Sequence, residues 1–314
     1  MIIDSYDKDS EPIISLKDFY GEKKYLTEKC LIIFSKRIFE YLLDNFDCQE
    51  IGQIGSVNGT SPVYKSHFEG QEFAFYLTMI GSALASTHCV EVNWITGAEK
   101  FIMFGSCGSL DKEKTFGKYI IPTEVYRGEG ASYYYAAPSD YLTIKNHEKV
   151  EDFFIRENAP YTKGKVWTTD VMIRETRGLV SKRKSEGCIA VEMELAGVQA
   201  ACDFYGLELY NFLESGDILN ENSYEVKGLH SANHDFGFEF FERNIIETNM
   251  DVMTMLRQHL ILVRKVLTIN PQILMIILSL NFIIKMKKEV QVLCIYIKTK
   301  TVVMLSSHIQ VFGN

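Results

Sequence analysis

Five short apolar runs, separated in places by helix-length stretches, constrain this chain more than any other feature. The runs are residues 30–34, 73–80, 101–104, 119–122 and 207–213, and helix-length stretches occupy 35–45, 84–96 and 194–205. A short continuous apolar run bounded by turn residues reads as a strand buried on both faces. Strands of that kind alternating with helices predict an α/β fold, a sheet covered on two sides. Ligands of such sheets collect at the carboxyl ends of strands. Residues from Gly105 onward and the Ser215-Gly216-Asp217 stretch fall there, and both are expected as loops. No internal repeat or low-complexity linker divides the text, so one domain is expected over residues 23–259, after a polar lead-in at 1–22.

Residues 260–314 read differently. They are rich in Ile, Leu, Lys, Met and Val without clear periodicity or helix caps, and are expected to be an extension foreign to the domain. Their longest apolar run, 273–284, is shorter than the ~20 residues that span a bilayer. Membrane attachment is therefore not the favoured reading, and the run is an aggregation liability.

Composition narrows the class. A net charge of -8 argues against nucleic acid as a partner, because phosphate binding needs a basic face. The seven cysteines lack CxxC pairs and the seven histidines lack ligand spacing, so neither a zinc site nor a disulfide framework is indicated. Reduced thiols and an acidic start without signal-peptide layout predict a cytoplasmic protein.

The chemically loaded stretch is Gly187-Cys188-Ile189-Ala190-Val191-Glu192-Met193-Glu194-Leu195-Ala196-Gly197. A carboxylate in an apolar run is costly to bury unless something pairs with it. Either glutamate alone could be a helix-start residue, favoured by the positive end of the helix dipole. That explanation leaves two acids around one methionine, and an acid closing the next apolar run, less well accounted for.

The Val-Glu-Met-Glu block followed by small residues resembles the signature of the nucleoside phosphorylase and nucleosidase superfamily. That family includes purine-nucleoside and uridine phosphorylases and methylthioadenosine nucleosidases. Further pieces occur in the family's order: Met79-Ile80-Gly81-Ser82 as a strand-to-helix turn, Phe104-Gly105-Ser106-Cys107-Gly108-Ser109 as a nucleophile-site glycine turn, Trp167-Thr168-Thr169-Asp170 as a base-side loop, and Ser215-Gly216-Asp217 as an acid loop. The resemblance runs over residues 24–241. It implies a single-domain three-layer α/β/α fold with a central mixed, partly barrel-like sheet, closed by a helix near 236–259.

The resemblance also implies roles. Cleaving an N-glycosidic bond places positive charge on the sugar and negative charge on the base, as in glycoside hydrolysis. Glu194 would accept the ribose hydroxyls and stabilise the cation. Met193 would pack on the sugar, with Glu192 beside it on the ribose side or behind Glu194. Asp217 would be the acid for a purine base, which requires a pKa raised above the ordinary ~3.9. Ser106 and the amides near Gly105 would cradle the nucleophile. Met172 stands where the family often stacks a phenylalanine on the base. Phosphate is the expected co-substrate, no metal or organic cofactor is implied, and a homo-oligomer is expected.

Three departures bear on the nucleophile. Met103 replaces a phosphate-binding arginine, Phe34-Ser35-Lys36-Arg37 replaces a Gly-Asp-Pro loop, and residues 58–65 contain no arginine. Desolvated phosphate needs charge-assisted partners, so Lys36 or Arg37 would have to compensate. Water is the alternative nucleophile, although the glutamate that nucleosidases place after their first strand is also missing. A nucleoside-binding protein without turnover is the third reading.

Overall fold

Residues 29–33 are apolar apart from the first and carry β-branched side chains at 32 and 33, which suits a strand buried on both faces. In the computed structural model they form β1 (Lys29–Ile33), buried along its whole length and parallel to β4 (Gln71–Leu77) and β5 (Lys100–Ser109). The structure describes residues 1–225 apart from 58, 69, 221 and 222, together with the backbone of three strands nearer the C-terminus. Backbone contacts divide the chain into two units, Met1–Glu242 and Arg243–Asn314.

In the first unit, β2 (Cys48–Ser56) and β3 (Gly59–Phe68) form a hairpin beside β4. The remaining strands are β6 (Tyr119–Gly128), β7 (Tyr141–Thr143), β8 (Tyr161–Thr169), β9 (Cys188–Glu192), β10 (Glu208–Leu219) and β11 (Tyr224–Glu225). One sheet of mixed direction contains them all, in the order β11-β10-β6-β8-β9-β5-β1-β4-β3-β2, with β7 on β6. Because β10 also pairs with β5, the strands β5, β9, β8, β6 and β10 close into a five-membered ring, and β1 to β4 continue from it as an open wing. Closure bends strands, and register shifts mark three of the ring's pairings: at Ser215/Asp217, Pro122/Glu124 and Lys165/Val166. The fold is α/β with a mixed, partly barrel-like sheet.

Seven α-helices lie among the described residues: α1 (Leu16–Tyr20), α2 (Lys36–Asn45), α3 (Ser82–Thr96), α4 (Lys112–Thr115), α5 (His147–Arg156), α6 (Arg177–Ser185) and α7 (Leu195–Tyr205). Helix α2 starts at Ser35, whose hydroxyl accepts the Ile38 amide, and buries Ile38, Phe39 and Leu42 on one face. Each such side chain contributes about 1.5–3 kcal/mol by leaving water. It packs on β1 and β4, whereas α5 packs on β6 and β10 and α6 on β9. Helices α3 and α7 lie against each other at a seam of small residues. A Cβ on Gly197 would come within 2.8 Å of Ser82 Cβ, and the Cys89 and Cys202 sulfurs are 3.8 Å apart. That close approach sets where the amino end of α7 meets the amino end of α3.

Two sequence expectations change here. The 105–109 stretch is not a turn: it continues β5, because β10 runs alongside and takes up its backbone, pairing Leu213 with Gly105 and Glu214 with Ser106. Asp217 likewise lies within β10 rather than in a loop. The register passes from Ser215 opposite Cys107 to Asp217 opposite Gly108, so Gly216 is an extra residue, a bulge. A bulge re-aims the side chains that follow it, and here it turns the acid.

The second unit contains β12 (Leu293–Ile297), β13 (Thr301–Leu305) and β14 (Gln310–Phe312), an antiparallel sheet in chain order. The expected helix at 236–259 and the apolar run at 273–284 lie outside the described residues. Among the described residues, no helix is long and apolar enough to cross a membrane.

Candidate active site

The Glu-Met-Glu block spans the passage from β9 into α7. Glu192 is the last residue of β9 and Glu194 is the N-cap of α7. The first amides of a helix have no partner within it, and here Glu192 supplies one. Its Oε2 accepts the amides of Glu194 and Leu195, both at 2.7 Å. Its Oε1 takes the hydroxyl of Thr168 on β8, and that hydroxyl oxygen in turn accepts the Ala196 amide at 3.0 Å. Glu192 is thus bound into the framework through both oxygens. Both of its oxygens already accept donors from the framework, next to the turn that carries Glu194.

Glu194 is buried at the seam between α3 and α7. Its Oε1 accepts the amide of Gly81 at 2.7 Å, and Ser82 Oγ donates to the Met193 carbonyl at 3.0 Å. Gly81 has φ = 102°, a conformation that a side chain would oppose, so glycine lets this amide point at the carboxylate. Burial pushes Glu192 up to about 8, with the Glu194 charge adding to it, and burial pushes Glu194 up to about 7. Met193, half-buried, lies between them.

Asp217 occupies a different setting. It is 4% exposed, its Oδ1 has no partner among the described residues, and it accepts a hydrogen bond from Tyr224 on β11. Burial raises its pKa from the ordinary carboxylate value. Gly108 leaves room for it: a Cβ there would collide with Leu219 and lie 3.3 Å from Asp217 Oδ1. The carboxylate lines a cavity of about 410 Å³ that also takes in Met172, Glu175, Arg177, Leu219 and Tyr224. A second cavity, of about 480 Å³ and lined by Phe116, Lys118, Pro160 and Glu214, reaches the same bulge. The structure therefore brings Met172 and Asp217 together. The Cys107 thiol, raised mainly by burial, also feels Glu192, Asp217 and Glu214, so these carboxylates converge on β5.

Ser106 is exposed on β5, while Gly105 is half-buried and paired with Leu213. Trp167 is buried in the core beneath Gly128 and has no open face for a base. Glu175 and Tyr224 were not legible as site residues. Both sit in ordinary polar text, and only the return of β10 and β11 beside the 172–177 segment brings them to Asp217.

A model of the phosphorylase superfamily matches residues 35–239. The chain belongs to that superfamily. It is similar to the DeoD-type purine nucleoside phosphorylase of Colwellia psychrerythraea, with 25% identity over 186 residues that cover 57% of this chain and 76% of that protein. The DeoD-type purine nucleoside phosphorylases of Bacillus cereus and Bacillus thuringiensis are each 24% identical, over 58% of this chain and 77% of their own.

Within this phosphorylase-superfamily fold the missing cations acquire a place. Met103 is 1% exposed and packs in the main core cluster, where an arginine head group would be desolvated. Lys36 and Arg37 are exposed on the first turn of α2, and Lys36 pairs with Glu40 at 3.5 Å. Neither belongs to the residues that line the two cavities beside Asp217.

Proposed function

We propose that the protein cleaves the N-glycosidic bond of a purine-type nucleoside, with Asp217 as the acid that protonates the departing base. The observation that carries this reading is the Asp217 carboxyl, buried, raised in pKa and unpartnered at Oδ1, on the wall of a cavity large enough for a base. A free aspartate would be ionised at neutral pH, and burial is the means by which it retains a proton. Met172 offers a polarizable contact for the base ring. Glu194 is assigned the ribose hydroxyls and the charge developing on the sugar, with Met193 against the sugar face. Ser106 is assigned the nucleophile.

Phosphate is the conventional nucleophile for this superfamily and for the named relatives. One observation favours water as the second reading: the Met103 position carries no charge, and neither Lys36 nor Arg37 lines the cavities beside Asp217.

Base release from inosine, adenosine and methylthioadenosine, each with and without phosphate, tests the proposal. Release that requires phosphate makes the protein a phosphorylase. Equal release in its absence makes it a nucleosidase. Nucleoside binding without release under either condition would overturn the catalytic reading and leave a nucleoside-binding protein.

A further inference from the structure

Cys89 on α3 and Cys202 on α7 are free thiols that the proposed chemistry leaves unused. Cys89 follows Ala85 and precedes Val92 at helical spacing, and Cys202 follows Leu195 and Val198 in the same way. Each is fully buried and faces the seam between the two helices. The helices stay in contact from Gly197 and Ser82 as far as this pair, where the sulfurs are 3.8 Å apart and share a hydrogen bond. A sulfur–sulfur bond is about 2.05 Å long, so bonding the pair requires about 1.8 Å of closure.

We infer that Cys89 and Cys202 are a redox modification site, a dithiol that small disulfide compounds convert reversibly into a bridge between α3 and α7. In the first step one thiol loses its proton, and the thiolate attacks a sulfur of the reagent, here oxidised glutathione. The new sulfur–sulfur bond forms as the reagent's own bond breaks, and one glutathione thiolate leaves. The second protein thiol, deprotonated in turn, attacks the protein sulfur of that mixed disulfide and expels the other glutathione. Two electrons pass from the protein to the reagent, and the two protons end on the two glutathione thiols.

The setting decides how such a site reacts. The hydrogen bond with Cys89, and after it burial, holds the Cys202 thiol well above the ordinary range. The closed seam therefore protects the dithiol, and reaction follows local opening of the two helices. The second thiol already lies in contact with the first, so an adduct on either one is resolved within the chain. Cys30 is the competing partner: it belongs to the same core cluster, and the Tyr76 hydroxyl feels Cys89, Cys30 and Cys202 together. A bridge would fix the seam from whose amino end Glu194 and the Gly81 amide project.

The test is incubation of the folded full chain with oxidised glutathione, followed by alkylation of remaining thiols and peptide mapping without reductant. The expected product is a linked pair of peptides carrying Cys89 and Cys202, about 2 Da lighter than their sum and separated again by dithiothreitol. Cys30→Ser should still give the link, whereas Cys89→Ser and Cys202→Ser should not. Amide hydrogen exchange along α3 and α7 should slow by about tenfold or more in the bridged chain, because the bridge opposes opening of the seam. The inference is overturned by glutathione adducts without a link, by a link to Cys30 instead, by a link that forms only in urea, or by unchanged exchange. Because the wild-type chain carries the decisive mapping, a variant that fails to fold does not shield the inference, and neither readout depends on nucleoside cleavage.

Discussion

Two pairs of carboxylates lie close to the same closed ring of strands, and they are built in opposite ways. Glu192 and Glu194, where β9 passes into α7, are bound by the amides of Gly81, Glu194 and Leu195 and by the Thr168 hydroxyl. Glu175 and Asp217 line an open cavity, and Asp217 accepts from the Tyr224 hydroxyl and from its own amide while its Oδ1 has no partner among the described residues. A carboxylate saturated by backbone amides defines geometry, since moving it breaks bonds that the fold requires. A carboxylate left short of partners retains the capacity to exchange a proton or accept a ligand. Within the proposed function, the contrast gives Glu192 a structural part, Glu194 the ligand and Asp217 the proton transfer.

The contrast is easiest to break at its two extremes. Asp217→Asn should lower base release from inosine by about 10²–10⁴-fold, the ordinary contribution of a positioned acid, with thermal stability unchanged or raised. Stability loss as large as the activity loss would show that Asp217 is structural. Glu192→Ala should do the reverse. It strips a partner from two amides and one hydroxyl, each costing about 1–3 kcal/mol when left unsatisfied, and should lower Tm markedly; an unchanged Tm would remove its capping role.

Gly108→Ala tests whether space beside Asp217 is required. The new Cβ would collide with Leu219 and crowd Asp217 Oδ1, and overpacking of this kind costs about 1–3 kcal/mol. Activity should fall further than stability, as read from kcat and Tm on the same preparation. Glu194→Gln should raise KM for nucleoside about tenfold, in the range of one charge-assisted hydrogen bond, and unchanged kinetics would remove its ribose assignment.

The smallest effect is on pH dependence. An unfolded glutamate releases its proton near ~4.3, whereas Glu192 in the fold keeps its proton until about 8. Between those values the unfolded chain binds fewer protons than the folded one, so stability falls as pH rises through this window. Replacing Glu192 by Gln should flatten that decline in a Tm-against-pH series, and an unchanged slope would mean that another group sets it.

Much of this arrangement was legible in the text. The apolar runs matched β1, β4, β6 and β10, and Ser35, Gly81 and Glu194 fell at the amino ends of α2, α3 and α7. The hairpin of β2 and β3 was not legible, because its strands are largely polar and half-exposed and carry no continuous apolar signal. Strands β8 and β9 were hidden for another reason. Their text reads as a loop or as a helix start, and the pairing that makes them strands joins positions such as Thr168 and Glu192 that are distant along the chain.

By itself, the sequence determined the class of the fold and its family, because apolar periodicity and the Val-Glu-Met-Glu text are local properties. Tertiary structure alone decided which acids have both oxygens bonded and which keep one without a partner among the described residues. Hydrogen-bond partners and burial come from sheet closure and from the bulge at Gly216, where a single extra residue turns Asp217 toward the cavity it shares with Glu175. No local pattern encodes that meeting, since it depends on strands and loops brought together from distant parts of the chain.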